Sequence, residues 1–188
     1  MAQLVVSPAA SGDDAREVSG GTTTINDTAI TLAAGSHWAG IRFPNVTIPR
    51  TATIDSATLS IYIDTNDDPL VDIYGEDVDN SAIFTTAASD VSGRTRTSQK
   101  VDWDGTNIGT GRVTLSVALG PIVAAIIGRT NWASGNALTL IFDSFAGSNV
   151  SFRTFDHASG EVAQLTINYT TAAGVTKQAM FYARQRRA

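Results

Sequence analysis

Glu76-Asp77-Val78-Asp79-Asn80 packs three carboxylates and an amide into a short run of sequence. Ca²⁺ is a hard cation that takes about six to eight oxygen ligands of these kinds. The run is therefore a candidate structural Ca²⁺ site, with Asp13, Asp14 and Asp156 as further ligands if the fold brings them near. It is not an EF-hand loop, because no Glu closes a frame of about twelve residues. The same residue types also cap backbone amides in a solvated turn, and that reading stands beside the first. No other cofactor is expected. The chain has no cysteine, so it has neither disulfides nor thiolate metal sites.

Flat apolar rings stack on sugars, and Trp38, Tyr62, Trp103 and Trp132 could supply them. Trp132 in a turn and Trp103 between Asp102 and Asp104 are the better glycan-binding candidates; burial in a core is the competing reading. Asp156-His157 is the only acid–imidazole neighbour pair, and such a pair can orient a general base. Without a nucleophile motif it does not make an active site, so the expectation is a non-enzyme. Arg94, Arg96 and Lys100 form a small basic run in a polar loop. Residues 171–188 end in Met180, Phe181, Tyr182, Arg184, Arg186 and Arg187, apolar anchors followed by positive charge. This tail reads as a docking peptide for a neighbouring subunit.

The elements that would position these residues read as strands. Ala57 to Ile63 alternates cleanly, with Ala57, Leu59, Ile61 and Ile63 on one face. Asn66-Asp67-Asp68-Pro69 is a strong turn signal, and Leu70 to Tyr74 reads as the partner strand. Thr22–Ile25 and Ala29–Leu32 read as a second pair around Asn26-Asp27. Gln3–Ser7, Trp38–Phe43, Val113–Val117, Ala137–Phe142, Val150–Phe155 and Val162–Tyr169 complete a set of about ten short strands with turns between them. Ala10 to Asp14 reads as a turn and Ser81 to Lys100 as an extended surface loop. One helix is expected over Gly120–Arg129, with Pro121 at its start and Gly128 near its end. The fold class is all-β: a two-sheet jelly-roll sandwich with one short helix, occupying residues 1–170.

Composition narrows the partners. Only 16% of residues are charged, and the net charge is −5. Residues 177–188 hold four of the 13 Lys and Arg and none of the 18 acids, so they sum to +4 against −9 for the rest. An acidic body does not suit a protein that neutralises phosphates, so no nucleic acid is expected. The longest apolar run, Ile122–Ile127, is too short to cross a membrane. Met1-Ala2-Gln3-Leu4-Val5-Val6 lacks the basic and apolar regions of a signal peptide.

The blocks RFPNVTIP, ATIDSATLSIYI, DIYGEDVDN, SGRTRTSQKVDW, GRTNWASGNALTLIF, SFRTFD and QLTINY, in that order, resemble a family of β-sandwich modules. These are similar to DNRLRE-type and carbohydrate-binding-module jelly rolls, which occur in secreted bacterial surface proteins and in phage virion proteins. The resemblance covers about residues 11–170. It implies a non-catalytic domain that binds glycans, cell-surface polymer or neighbouring structural proteins. The absent export signal and the extra tail favour the phage branch. The expectation is a phage virion structural protein, either a capsid decoration protein or a tail, neck or fibre component, assembled in the host cytoplasm. Its partners would be other virion proteins and copies of itself. The alternative is an extracellular carbohydrate-binding module for a host or matrix polysaccharide. A polysaccharide-active enzyme on the same fold is the third reading.

Overall fold

The structure, a computed structural model, describes residues 1–33, 37–147 and 149–171. In chain order the strands are β1 (Ala2–Val6), β2 (Asp14–Val18), β3 (Thr22–Thr24), β4 (Ala29–Leu32), β5 (His37–Phe43) and β6 (Thr53–Asn66). They continue with β7 (Pro69–Glu76), β8 (Arg96–Asp104), β9 (Gly111–Thr114), helix α1 (Gly120–Ile127), β10 (Leu138–Gly147), β11 (Val150–Arg153) and β12 (Gln164–Thr170). They form two antiparallel sheets. Sheet 1 runs β1-β12-β6-β11-β4, with β9 also on β6; sheet 2 runs β3-β2-β5-β10-β7-β8. The chain changes sheet at most connections, as jelly rolls do, and the expected all-β sandwich with one helix is the fold.

β6 organises sheet 1. Ser60 pairs with both Gln164 and Thr114, and Ile63 with both Phe152 and Gly111. A strand residue has one partner per edge, so β11 and β12 follow one another along one edge of β6 and β9 takes the other. The inward residues Ala57, Leu59, Ile61 and Ile63 meet Val71, Ile73, Leu138, Leu140 and Phe142 of sheet 2 in one core. Apolar side chains at every second position supply the driving force for that contact. Helix α1 closes one end. Its Ile122 and Ile126 press on Gly75, where a Cβ would lie 2.8 Å and 2.6 Å from their side chains.

Two expectations about pairing are corrected. β7 is not the hydrogen-bonded partner of β6, and β4 is not that of β3: each pair is split between the sheets. Their short turns are arches across the core, with Asp68 at φ 58 in the β6–β7 turn. The hairpins that do form involve two strands the sequence pattern hid. β2 pairs with β3 through Gly20 and Gly21, both at positive φ, which glycine adopts without strain. β8 pairs with β7 and takes in the last residues, 96–100, of the expected 81–100 loop.

Candidate functional site

The outer face of sheet 2 carries the densest set of polar side chains, and the ladder registers put them in rows. Asp102 faces Asp72, Asp72 faces Asp143, and Asp143 faces Trp38 on four neighbouring strands. Opposed side chains in antiparallel sheets sit about 5 Å apart, and like charges there repel. Two cations from β8 relieve the repulsion. Lys100 Nζ is 2.8 Å from Asp72 Oδ2 and 3.0 Å from Asp102 Oδ1, and Arg96 Nη1 is 3.3 Å from Asp143 Oδ2. Tyr74 donates its hydroxyl to Asp72 at 3.1 Å and has the Arg96 guanidinium 5.3 Å above its ring. Trp38 donates to Asp143. Burial pushes the Asp143 carboxyl up, with Arg96 opposing and Asp72 adding to it. Burial and the Asp72 hydrogen bond raise the Tyr74 phenol in the same way. The hydrogen bond from Lys100 is the main cause holding Asp102 low. The expected basic run is thus spent within the fold.

The rest of this face is covered by residues 77–95, which leave β7 and fold back as a strap. Phe84 lies directly over Gly40, where a Cβ would be 2.1 Å from its ring. Phe84 and Val91 join Ala15 and Ile141 in a second, smaller core. Arg94, with its side chain 8% exposed, pins the strap from within. It pairs with Glu76 at 2.9 Å and Asp90 at 3.1 Å, donates to the carbonyls of Ala82 and Ile83, and stacks 3.8 Å over Phe84. From the sheet, Glu17 accepts from the amides of Val91 and Ser92 and from the Ser92 hydroxyl.

The Glu76-to-Asn80 knot belongs to this strap, which corrects the Ca²⁺ expectation. Glu76 is taken by Arg94, and Asp77 and Asp79 are taken by Arg129. Asn80 accepts the Ala137 amide at 2.8 Å, and Asn136 donates to the Asp79 carbonyl at 2.9 Å. These bonds clamp the start of the strap to the segment after α1. Among the described residues, no group of three or more His, Cys, Asp or Glu is placed to hold a metal ion.

The fold does bring Asp13, Asp14 and Asp156 together, with Asp27, at the edge of β2. Asp14 points between the sheets and accepts the Phe155 amide at 2.8 Å. Asp13 pairs with Arg42, Asp27 with Arg16, and Asp156 accepts the Ser11 hydroxyl. Burial, reinforced by Asp156, Asp13 and Asp27 and opposed by the Phe155 amide, pushes Asp14 up to about 7. Asp156 and His157 do not act as a pair. The His157 Nδ1 turns instead to Ser159 Oγ at 2.7 Å.

The aromatic expectation is also corrected. Trp103 is fully buried in the main core, and Trp132 is buried with its indole N–H donating to the Ile48 carbonyl at 2.9 Å. Neither ring offers a face to a sugar. Tyr62 carries the Arg153 guanidinium 3.8 Å over its ring. Trp38 is the one indole on the outer surface, half-buried beside Tyr74. Its neighbours on this face, Asp143 and Tyr74, come from other strands, so nothing local in the sequence marked them.

Two further surfaces stand out. A groove of about 440 Å³ between the start of β6 and the β9–α1 connection is lined by Asp55, Ser56, Thr58, Ser116, Val117 and Pro121. At the opposite end of β6, Asp67, Asp68 and Asp104 lie exposed around the β6–β7 turn and the end of β8 and form an acidic rim. Asp104 pairs in register with Leu70, and Asn107 donates its amide to Asp68 at 2.9 Å, which ties the β8–β9 loop to the turn. Met180, Phe181, Tyr182, Arg184, Arg186 and Arg187 lie outside the described residues.

Fold and surfaces together define an antiparallel β-sandwich module with a strapped outer face. No protein-family model matches the chain, and no curated protein is significantly similar to it.

Proposed function

We propose that this chain is a non-catalytic assembly module, a structural protein of a bacteriophage virion that works through protein–protein contacts. Capsid decoration and a place in the tail, neck or fibre fit it equally. The observation that carries the reading is the charge geometry. An exposed acidic rim, Asp67, Asp68 and Asp104, ends one side of the sandwich, while the C-terminal segment holds Lys177, Arg184, Arg186 and Arg187 and no acid. In this reading the tail of one copy docks on the rim of the next, or on an acidic neighbour in the particle. Opposed potentials of this kind set register and partner choice. Deletion of residues 177–188 tests it. Loss of particle incorporation and a smaller oligomer are expected; unchanged incorporation and unchanged mass would overturn the reading.

A second reading, carbohydrate binding, is favoured by the open half of sheet 2. Trp38 and Tyr74 present partly exposed rings beside Asp72, Asp143, Arg96 and Lys100, the mixture of flat apolar faces and charged hydrogen-bonding groups that a sugar chain uses. Quenching of Trp38 fluorescence by host polysaccharide, lost in Trp38→Phe, would support it; no change at saturating polysaccharide would sink it.

A further inference from the structure

We propose that β1 is the seam of a homodimer, in which a second copy lays its own β1 antiparallel along the free edge and joins two copies of sheet 1 into one. The inference concerns a surface separate from the acidic rim and stands whether or not the chain belongs to a particle.

Sheets that stay monomeric guard their edges with charges, bulges, prolines or very short strands. The other edges formed by the described residues are guarded in these ways. β8 is nine residues long and carries Arg96, Lys100, Asp102 and Asp104. β9 is four residues with Arg112, and β3 and β4 have three and four residues. β2, one strand in from its edge, sends Asp14 and Arg16 inward. Among the edges the described residues form, β1 alone is unguarded: it reads Ala-Gln-Leu-Val-Val, with no charge, no proline and no bulge against β12. Among the described residues it pairs only with β12. Exposed large apolar side chains are few, and Val5, 50% exposed, is one of them.

The pattern of β1 fits a second copy of itself. A two-fold axis through Leu4 sets Leu4 against its counterpart, Ala2 against the second copy's Val6, and Gln3 against the second copy's Val5. Every residue of the strand is used, and each inward side chain stays on the inward face, because facing residues of an antiparallel pair share a face. Leu4 and Val6 pack against the main core but remain only partly buried, and among the described residues no strand covers their outer flank. A second β1 supplies that flank on both sides of the axis. With no charge on the strand, self-pairing meets no repulsion.

Sedimentation of the full chain over a dilution series tests the seam. A concentration-dependent dimer is expected. Gln3→Lys with Val5→Lys places like charges across the seam twice and is expected to weaken association about tenfold or more. Gln3→Lys with Val5→Glu sets opposite charges across the same positions and is expected to restore it. All three proteins should melt alike at high dilution, because both side chains face solvent. A monomer at every concentration, open-ended chains, or a dimer that both variants leave unchanged would overturn the proposal. Deletion of residues 177–188 should leave this dimer intact, so failure of the seam and failure of the tail-docking reading give different results.

Discussion

The outer face of sheet 2 is one surface with two fates. Over β5 and β10, the strap buries Gly40, Ile141 and Ala15 beneath Phe84 and Val91. Over β7, β8 and the adjoining Asp143 and Trp38 of β10 and β5, the same face stays open, and its carboxylates are neutralised by Lys100 and Arg96 at partly exposed positions. The difference lies in what holds each half. The strapped half combines apolar burial with a cation in a largely dry site, where losing one partner strands a buried charge. The open half relies on ion pairs in contact with water, which contribute little each. The first half can fix the shape of the module, and the second is free to change partners.

The largest effect should come from removing the strap's anchor. Phe84→Ala empties the space over Gly40 and is expected to cost about 3–5 kcal/mol in denaturant unfolding. A loss under about 1 kcal/mol would mean that the strap is not part of the cooperative fold. Arg94→Ala should follow at about 3 kcal/mol, because Glu76 keeps its buried charge without a partner. Faster hydrogen exchange at Val91 and Ser92 would show the strap lifting; protection equal to the parent would separate Arg94 from strap closure.

Asp14 extends the comparison to the sheet edge. Its folded pKa of about 7 lies well above the ordinary range of a solvated aspartate. The folded state therefore holds its proton more tightly, and stability falls as pH rises from about 4 to about 7, by at most about 4 kcal/mol. Asp14→Asn removes that penalty while its side-chain oxygen can still accept the Phe155 amide. The variant should melt above the parent at pH 8 and with it below pH 4, as thermal unfolding across pH would show. A gap independent of pH would mean that Asp14 is charged throughout. The smallest effect is expected on the open half, where Lys100→Ala should leave the melting temperature unchanged while altering the salt dependence of any charged-ligand binding. A large fall in melting temperature would place Lys100 with the strap residues instead.

Much of the fold was legible because alternation is local. Ala57–Ile63 and Ala137–Phe142 announce their buried faces residue by residue, and Gly120-Pro121 marks the helix. β2 escaped because Asp14 and Arg16 occupy its inward positions, and β8 because its inward Trp103 and Val101 sit among Lys, Asp and Gln. The strap looked like a polar loop because its anchors, Phe84, Val91 and Arg94, are spaced without period. Trp103 and Trp132 looked exposed because aspartates or turn residues flank them, and flanking residues in a strand point the other way. The acidic knot looked like an ion site because its cations, Arg94 and Arg129, lie well downstream in sequence.

By itself the sequence determined most of the strands, the helix and the split between an acidic body and a basic end, since these depend on residue type and near spacing. Only the tertiary structure decided which strands pair. Asp67-Asp68 and Asn26-Asp27 look like hairpin turns, yet both carry the chain across the core. In each case the flanking strands bury their apolar faces against opposite sheets rather than bonding to each other. The same decision folded residues 77–95 over sheet 2 and left β1 with an uncharged free edge. Burial is settled between segments far apart in the chain, and no local pattern records it.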